Sequence, residues 1–154
     1  MPGRTRLAND AWEALLSAHA RLMKQFAAED IWQDLSMREY DVLYTLSKCR
    51  EPLRIGELHR HVLLSQPALS RMVDRLVERG LVERCADPSD GRGVRLSLTD
   101  TGRDKQREIG RRHARSVARA VTAELSPDEL RQLATICWKL AHQPDNDHKE
   151  TSLT

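Results

Sequence analysis

The sequence has few aromatic residues, no long apolar run and only three cysteines. Phe, Trp and Tyr make up 4% of its 154 residues, whereas charged residues make up 31%. This balance leaves little large apolar surface, so it favours helices with narrow apolar stripes over a thick β-sandwich. A chain of this length suits one domain, or one domain with helical extensions, because one core serves roughly 100 to 200 residues. We therefore expect a mainly helical fold.

The cysteines and the short apolar runs exclude two further classes of protein. Cys49, Cys85 and Cys137 are odd in number and widely spaced, and the N-terminus carries no apolar signal segment. A secreted disulfide scaffold is therefore excluded, and we expect a cytoplasmic protein. The apolar runs fall far short of the roughly 20 residues that span a bilayer, so no membrane insertion is expected.

The signatures of an enzyme or a metal site are also missing. The sequence contains no phosphate-cradling glycine loop, no Ser-His-Asp arrangement and no paired-carboxylate signature, so we predict that it is not an enzyme. His59 and His61 are two residues apart and would diverge by about 200° on a helix, so they cannot face one metal ion. We expect no cofactor, apart from the small effector discussed below.

Positive charge is concentrated in the middle of the chain. Residues 54–115 hold 14 Arg or Lys against 9 Asp or Glu, a net charge of +5, whereas the remainder holds 11 against 14, a net charge of −3. Arginine dominates the middle segment, as expected where phosphates are neutralised by forked donors. A solvated helix face would give the same imbalance, so charge alone does not decide between the two readings.

Apolar residues at spacings of three and four predict helices over most of the chain. We expect a first helix over 8–30, a second over 37–49 that Ser36 and Glu39 begin as a capping box, and a short third over 55–62. A fourth helix follows over 65–79, capped by Ser65 and ended by Gly80. Thr99 begins a long polar helix to about 124, and a last helix starts at Ser126.

Between the fourth helix and the long helix, the apolar spacing changes to two. Residues 81–84 and 94–98 therefore read as strands, joined by the turn-forming segment 87–93. We expect a hairpin with a basic tip, that is, a wing. The tail from 142 onward is polar and is expected to be disordered.

The third and fourth helices, with the hairpin, form a pattern suited to DNA. A helix braced by a preceding helix can lie in the major groove, where base edges are distinguishable. Gln66 suits adenine, Arg71 or Arg75 suits guanine or phosphate, and Ser65 and Ser70 can reach backbone oxygens. The alternative without DNA binding is that Asp74, Glu78 and Arg79 only form ion pairs along a solvent-exposed helix face.

The segment 35–102 closely resembles the MarR family of bacterial winged helix-turn-helix regulators. The resemblance is carried by LSMREYDVL at 35–43, GEL at 56–58, LSQPALSRMVDRLVERGLVER at 64–84, DGRG at 90–93 and LTDTG at 98–102. It implies a mainly α fold with a β-hairpin wing, and a homodimer that binds a palindromic DNA site. Such a protein represses, or occasionally activates, transcription until a ligand or oxidant releases it.

The resemblance also divides the chain by role. It implies an N-terminal dimerisation helix over 1–34, a winged helix-turn-helix lobe over 35–99, C-terminal dimerisation helices over 100–141 and a tail over 142–154. The recognition helix is expected at about 65–79 and the wing at about 81–98. Arg92 becomes the minor-groove probe and Asp90 the residue that holds its guanidinium. The expected DNA-contacting residues are Ser65, Gln66, Ala68, Ser70, Arg71, Arg75, Asp90 and Arg92.

The sequence departs from the family at two positions. His59 stands where alanine is common, and Arg54 stands where a capping Ser or Thr is common. The start and the packing of the third helix are therefore less secure than the rest of the lobe.

The terminal helices carry apolar stripes that the small winged lobe cannot cover alone, so we expect two subunits to bury them together. An intramolecular core is the alternative. The candidate contact residues are Leu7, Trp12, Leu15, Leu130, Leu133 and Leu140.

The resemblance further implies a small aromatic or phenolic effector held between the lobe and the dimerisation helices. The candidates to bind it are His19, Met23, Tyr40, Tyr44 and His113, although such residues are more often part of a core. A rival trigger is oxidation of Cys85, which follows Arg84 at the base of the wing. A winged helix that serves only as a protein-interaction adaptor is the alternative function.

Overall fold

The computed structural model describes residues 2–142 and contains helices around a small sheet. The elements are α1 Pro2–Ala27, α2 Met37–Lys48, β1 Leu53–Arg54, α3 Ile55–His59, α4 Gln66–Glu78, β2 Val82–Asp87, β3 Asp90–Leu98, α5 Asp100–Thr122 and α6 Pro127–Ala141. The sheet is antiparallel in the order β1-β3-β2. The fold is therefore mainly α with a small β-hairpin wing, as predicted. The predicted disordered tail lies outside the described residues, apart from His142.

Three helix starts follow the capping residues read from the sequence. Ser36 and Ser126 each accept a hydrogen bond from the N–H of the glutamate three residues later, and Ser65 accepts one from Ala68. Each cap satisfies a donor that the helix itself leaves unpaired. These bonds fix where α2, α4 and α6 begin.

Two helices, α1 and α3, have boundaries that differ from the predicted ones by at least three residues. Helix α1 begins at Pro2 rather than 8 and ends at Ala27 rather than 30. Helix α3 ends at His59, because the N–H groups of Arg60 and His61 bond carbonyls three residues back and so tighten the last turn. The strand β1 was not predicted, since two residues are too short to show alternation.

The chain divides into two compact units, and the division falls inside α5 after Val117. The first unit holds the core, to which α2, α3, α4, the sheet and α5 each contribute an apolar stripe. Each fully buried leucine contributes roughly 1.5–3 kcal/mol. Because Gly102 and Ile109 are buried in this unit, the first part of α5 belongs with the winged lobe. The least exposed apolar residues are Val42, Leu43, Leu58, Leu69, Val73, Leu76 and Ile109.

The second unit contains α6, and none of the residues of this helix is buried. In the first unit, most of α1 is similarly uncovered: Leu7, Trp12 and Leu16 are 69%, 57% and 46% exposed. Large apolar side chains on these helices therefore have no cover within the described part of one chain. None of the described helices is both long and apolar enough to cross a membrane.

The end of α4 and the start of α5 are joined at one point. Gly80 adopts a left-handed conformation with φ of 69°, and the Leu81 N–H bonds the Leu76 carbonyl at 3.0 Å, which closes α4. Thr99 Oγ1 donates to the Gly80 carbonyl at 2.6 Å and accepts from the Gly102 N–H at 3.0 Å. A Cβ on Gly102 would lie 1.9 Å from the Leu81 carbonyl oxygen. Only glycine allows this approach.

Candidate nucleic-acid interface

The outward face of α4 is set by its buried face. Leu69, Met72, Val73 and Leu76 are buried, so the residues on the opposite side meet solvent. Of the predicted reading residues, Ala68 alone is half-buried. The exposed residues are Ser65, Gln66, Ser70, Arg71, Asp74 and Arg75.

Within residues 65–75 of this face, cationic side chains dominate because the one carboxylate is paired. Asp74 accepts a bond from Arg84 of β2. Arg75 lies 3.9 Å from Glu39, a loose contact, and Arg71 forms no ion pair among residues 2–142. The face therefore offers two guanidinium groups and the amide of Gln66.

The alternative pairing along α4 is wrong. Arg79 bonds Asp34 at 2.6 Å and lies 3.6 Å from Glu39, so it ties α4 to the start of α2. Asp74 is bound across to the wing, as described above. These pairs orient the helix in the lobe rather than neutralise its exposed face.

His59, one of the two departures from the family pattern, braces the turn between α3 and α4. Its Nε2 lies 2.8 Å from the Leu64 carbonyl oxygen. Because a carbonyl only accepts, Nε2 must carry the hydrogen in this arrangement. The imidazole therefore ties α3 to the residue that precedes the cap of α4.

The hairpin of β2 and β3 carries an exposed Arg92 at its tip. The strands pair from Val82 with Leu98 to Asp87 with Asp90, with an irregularity between Ala86 and Asp87. Asp90 was predicted to hold the guanidinium of Arg92, and this is wrong: its Oδ1 accepts from the Arg92 backbone N–H at 3.1 Å. An aspartate in a turn reaches the N–H two residues on, so it shapes the loop, and the guanidinium has no ion pair among the described residues.

Asp87, which the sequence reading missed, anchors the base of this hairpin. Its carboxylate is buried and accepts from the N–H and hydroxyl of Ser89 at 3.0 and 2.8 Å. It also pairs with Arg54 at 2.6 Å and with Arg95 at 3.0 Å. The Ser89 N–H first, then the Ser89 hydroxyl and the two arginines, hold the pKa of Asp87 far below its ordinary value despite burial. The Asp-x-Ser turn signal after a strand could have identified it.

The structure brings some of the predicted effector residues together. The ring of His113 lies 5.7 Å from that of Tyr40, and Tyr44 stacks on Tyr40 at 6.0 Å. Phe26 and Trp32, which the sequence reading missed, complete the cluster at 5.2 and 5.0 Å from His113. The chain has only six Phe, Trp and Tyr residues, and four of them lie in this cluster. The scarcity of aromatic residues was the one sequence signal that could have pointed to it.

The histidine in this cluster is electrostatically unusual. Burial lowers the pKa of His113, and the charge of Glu29 opposes that shift only in part. Its Nδ1 is buried without a hydrogen-bond partner, as is Oε2 of Glu29. The remaining two candidates lie on α1, where His19 is exposed and Met23 half-buried.

The candidate redox residue is less distinctive. Cys85 is half-buried, and its Sγ lies 3.5 Å from the Arg95 carbonyl oxygen. In residues 2–142, no three His, Cys, Asp or Glu side chains are grouped so that they would hold a metal ion.

A recognition helix with an exposed cationic face, beside a hairpin with a free arginine at its tip, defines a winged helix-turn-helix DNA-binding regulator. Comparison with known proteins agrees, since the sequence model of the MarR family matches residues 35–94. The Escherichia coli multiple antibiotic resistance protein MarR is 30% identical over 107 residues, which cover 70% of this chain and 74% of that protein. The chain belongs to the MarR family of transcriptional regulators.

Other relatives extend the likeness to nearly the whole chain. The Bacillus subtilis transcriptional repressor MdtR is 27% identical over 150 residues, 97% of this chain and 96% of that one. Sco3205 of Streptomyces coelicolor, a MarR family regulator solved in complex with DNA, superposes with a TM-score of 0.75 at 28% identity. The superposition covers 89% of this chain and 88% of the Sco3205 chain. PcaV of the same organism, solved with its natural ligand, gives 0.63 at 28% identity, with 85% and 89% covered.

Proposed function

We propose that this MarR family regulator is a ligand-responsive repressor that binds a palindromic operator as a homodimer. Helix α4 enters the major groove and Arg92 enters the neighbouring minor groove, whose negative potential favours a guanidinium. The observation that carries this proposal is that Arg71 and Arg75 are exposed on α4 while Arg92 is exposed and unpaired on the wing. We assign the protein no catalytic reaction.

Selection of bound sequences from random double-stranded DNA tests this proposal. A dimeric reader should enrich a palindrome with half-sites about one helical turn apart. Arg71→Ala should relax the preference at one base position, by roughly 1–3 kcal/mol if it contacts a base. Arg107→Gln, which removes an exposed arginine from α5, is the matched control. Lack of any enriched sequence would favour the adaptor alternative.

The proposed homodimer rests on uncovered apolar side chains. Leu7 and Trp12 on α1, and Leu133 and Leu140 on α6, are 44–69% exposed. Exposed apolar residues clustered on helices indicate an association surface. A second copy of the chain would cover them, as the twofold symmetry of a palindrome requires.

The proposed effector site is the aromatic cluster of Phe26, Trp32, Tyr40, Tyr44 and His113. Its supporting observation is the buried, unpartnered Nδ1 of His113, a hydrogen-bonding group available to a phenolic or carboxylate oxygen. The structural neighbour PcaV was solved with its natural ligand, which supports an effector site in this fold. 4-Hydroxybenzoate should weaken operator binding by the wild type and not by His113→Phe.

The same assay tests the two α1 candidates and the redox alternative. His19→Ala and Met23→Ala should reduce the response if α1 contributes to the site, and a wild-type response in both would limit the site to the cluster. For Cys85, peroxide should lower operator affinity in the wild type and not in Cys85→Ser. Unchanged affinity after peroxide treatment would exclude that trigger.

A further inference from the structure

Arg54 does not cap α3 with its side chain, although it occupies the capping position. The start of α3 is satisfied from the other direction, since the Glu57 carboxylate accepts the Arg54 backbone N–H at 2.7 Å. The side chain crosses to the wing instead, where Nε and Nη2 each lie 2.6 Å from Asp87 Oδ2. The residue that departs from the family pattern thus links α3 to the base of the hairpin.

Only one edge of this guanidinium is used. Nε and Nη2 hold Asp87, and Nη2 also lies 3.4 Å from Ser89 Oγ. Nη1 forms no bond with any described residue, and 46% of the side chain is exposed. Since a guanidinium presents five N–H groups in a planar fork, a second oxyanion can bind at the open edge. Asp87 itself is shared with Arg95, so the three charges sum to +1.

Arg54 and Arg60 line an open groove between α3 and the wing. Gly93 and Val94 of β3 form its other side. Arg60 is exposed and has no ion pair among the described residues. The two carboxylates in the groove each accept a backbone N–H, Glu57 from Arg54 and Asp90 from Arg92, and neither forms an ion pair with the arginines of the groove. The open edge of Arg54 and the guanidinium of Arg60 therefore remain available to anions.

The position of the groove selects the anion. In a helix-turn-helix the first helix crosses the DNA backbone while the second lies in the major groove. Here α3 is that first helix, and the Arg92 probe of the minor groove lies on the wing across the groove. The DNA backbone that separates the major groove from the minor groove must therefore pass between α3 and the wing. We propose that Arg54, held in place by Asp87, and Arg60 each bind a backbone phosphate at this groove; the inference rests on the DNA binding proposed above.

The salt dependence of operator binding tests this inference. Arg54→Ser removes the guanidinium and supplies the capping side chain common in the family, so α3 should still form. Arg60→Gln removes the second cation without touching the wing. In each variant, the slope of log K against log salt should become less negative by about 0.9 per subunit, or about 1.8 for a dimer, since one phosphate contact is lost per subunit. Arg107→Gln should keep the wild-type slope.

A purely structural role of Arg54 predicts another result. If Arg54 only braces the wing, Arg54→Ser lowers operator affinity with an unchanged slope, and that outcome overturns its phosphate contact. A wild-type slope in Arg60→Gln does the same for Arg60, even if the Arg54 variant folds poorly. If the wild type shows no salt-dependent binding to its selected operator, the proposed DNA-binding function fails along with this inference.

Discussion

At the scale of single residues, Asp87 is the side chain on which the wing depends. It is buried, and its negative charge is stabilised by Ser89, Arg95 and Arg54. Removing a buried carboxylate leaves its partners without the charge that holds them, which destabilises more than the loss of an exposed pair. The base of the hairpin is thus an electrostatic anchor rather than an apolar one.

We predict that Asp87→Asn lowers the free energy of unfolding at neutral pH, and that this deficit shrinks in acid. Because the pKa of Asp87 is depressed by folding, its stabilisation is fully present above the ordinary value of 3.8 and is lost as pH falls below it. Urea denaturation of both proteins at pH 7 and at pH 3.5 measures the two deficits. A deficit that stays constant across this range would contradict the role given to its charge.

We predict that His113, a base where Asp87 is an acid, also lowers the free energy of unfolding as pH falls. Burial lowers the pKa of His113, so the unfolded chain binds the proton more tightly than the folded one. The free energy of unfolding should therefore decline as pH falls below 6.5, the ordinary value. In His113→Phe this part of the decline should vanish between pH 7.5 and pH 5.5. Parallel curves for variant and wild type would show that His113 titrates alike in both states.

At the scale of elements, the packing of the start of α5 against the end of α4 requires that residue 102 has no Cβ. We predict that Gly102→Ala destabilises the protein by at least roughly 1–3 kcal/mol, the usual cost of forcing extra atoms into packed structure, because its Cβ would meet the backbone oxygen of Leu81. Thermal and urea denaturation measure the change.

The matched control is Gly56→Ala in α3, where a Cβ has open space and no positive φ is needed. It should stabilise by about 0.5–1 kcal/mol, since alanine is the better helix former. If both variants lost stability equally, the contact with Leu81 would not explain the requirement at position 102.

Element starts were more predictable from the sequence than the contacts between elements. Ser36, Ser65 and Ser126 gave the starts of three helices because a cap bonds its own backbone three residues away. The pairing of Arg54 with Asp87 spans 33 residues, and no local pattern indicates it. The same is true of the cluster around His113, whose Phe26 and Trp32 partners lie more than 80 residues earlier in the chain. The predicted contact of Asp90 with the Arg92 guanidinium failed because turn geometry favours the nearer N–H.

At the scale of the whole molecule, the proposed homodimer would make stability depend on protein concentration, because apolar residues of α6 are exposed in the single chain. We predict that Leu133→Glu shifts sedimentation from dimer to monomer and weakens operator binding, because a charge on an association surface cannot be buried unpaired. Gln132→Glu adds the same charge to the adjacent position and should leave the dimer intact. A dimeric Leu133→Glu variant would place the association surface elsewhere.

The three indoles of the chain provide separate spectroscopic reporters. Trp32 is 6% exposed, and its Nε1 donates to the Phe26 carbonyl at 2.8 Å, so its emission should shift to the red when the core of the first unit opens. Trp12 and Trp138 are 57% and 63% exposed, and their emission should shift to the blue when a partner covers them. Single-tryptophan versions of the protein would therefore record unfolding and association as distinct optical signals, without any added dye.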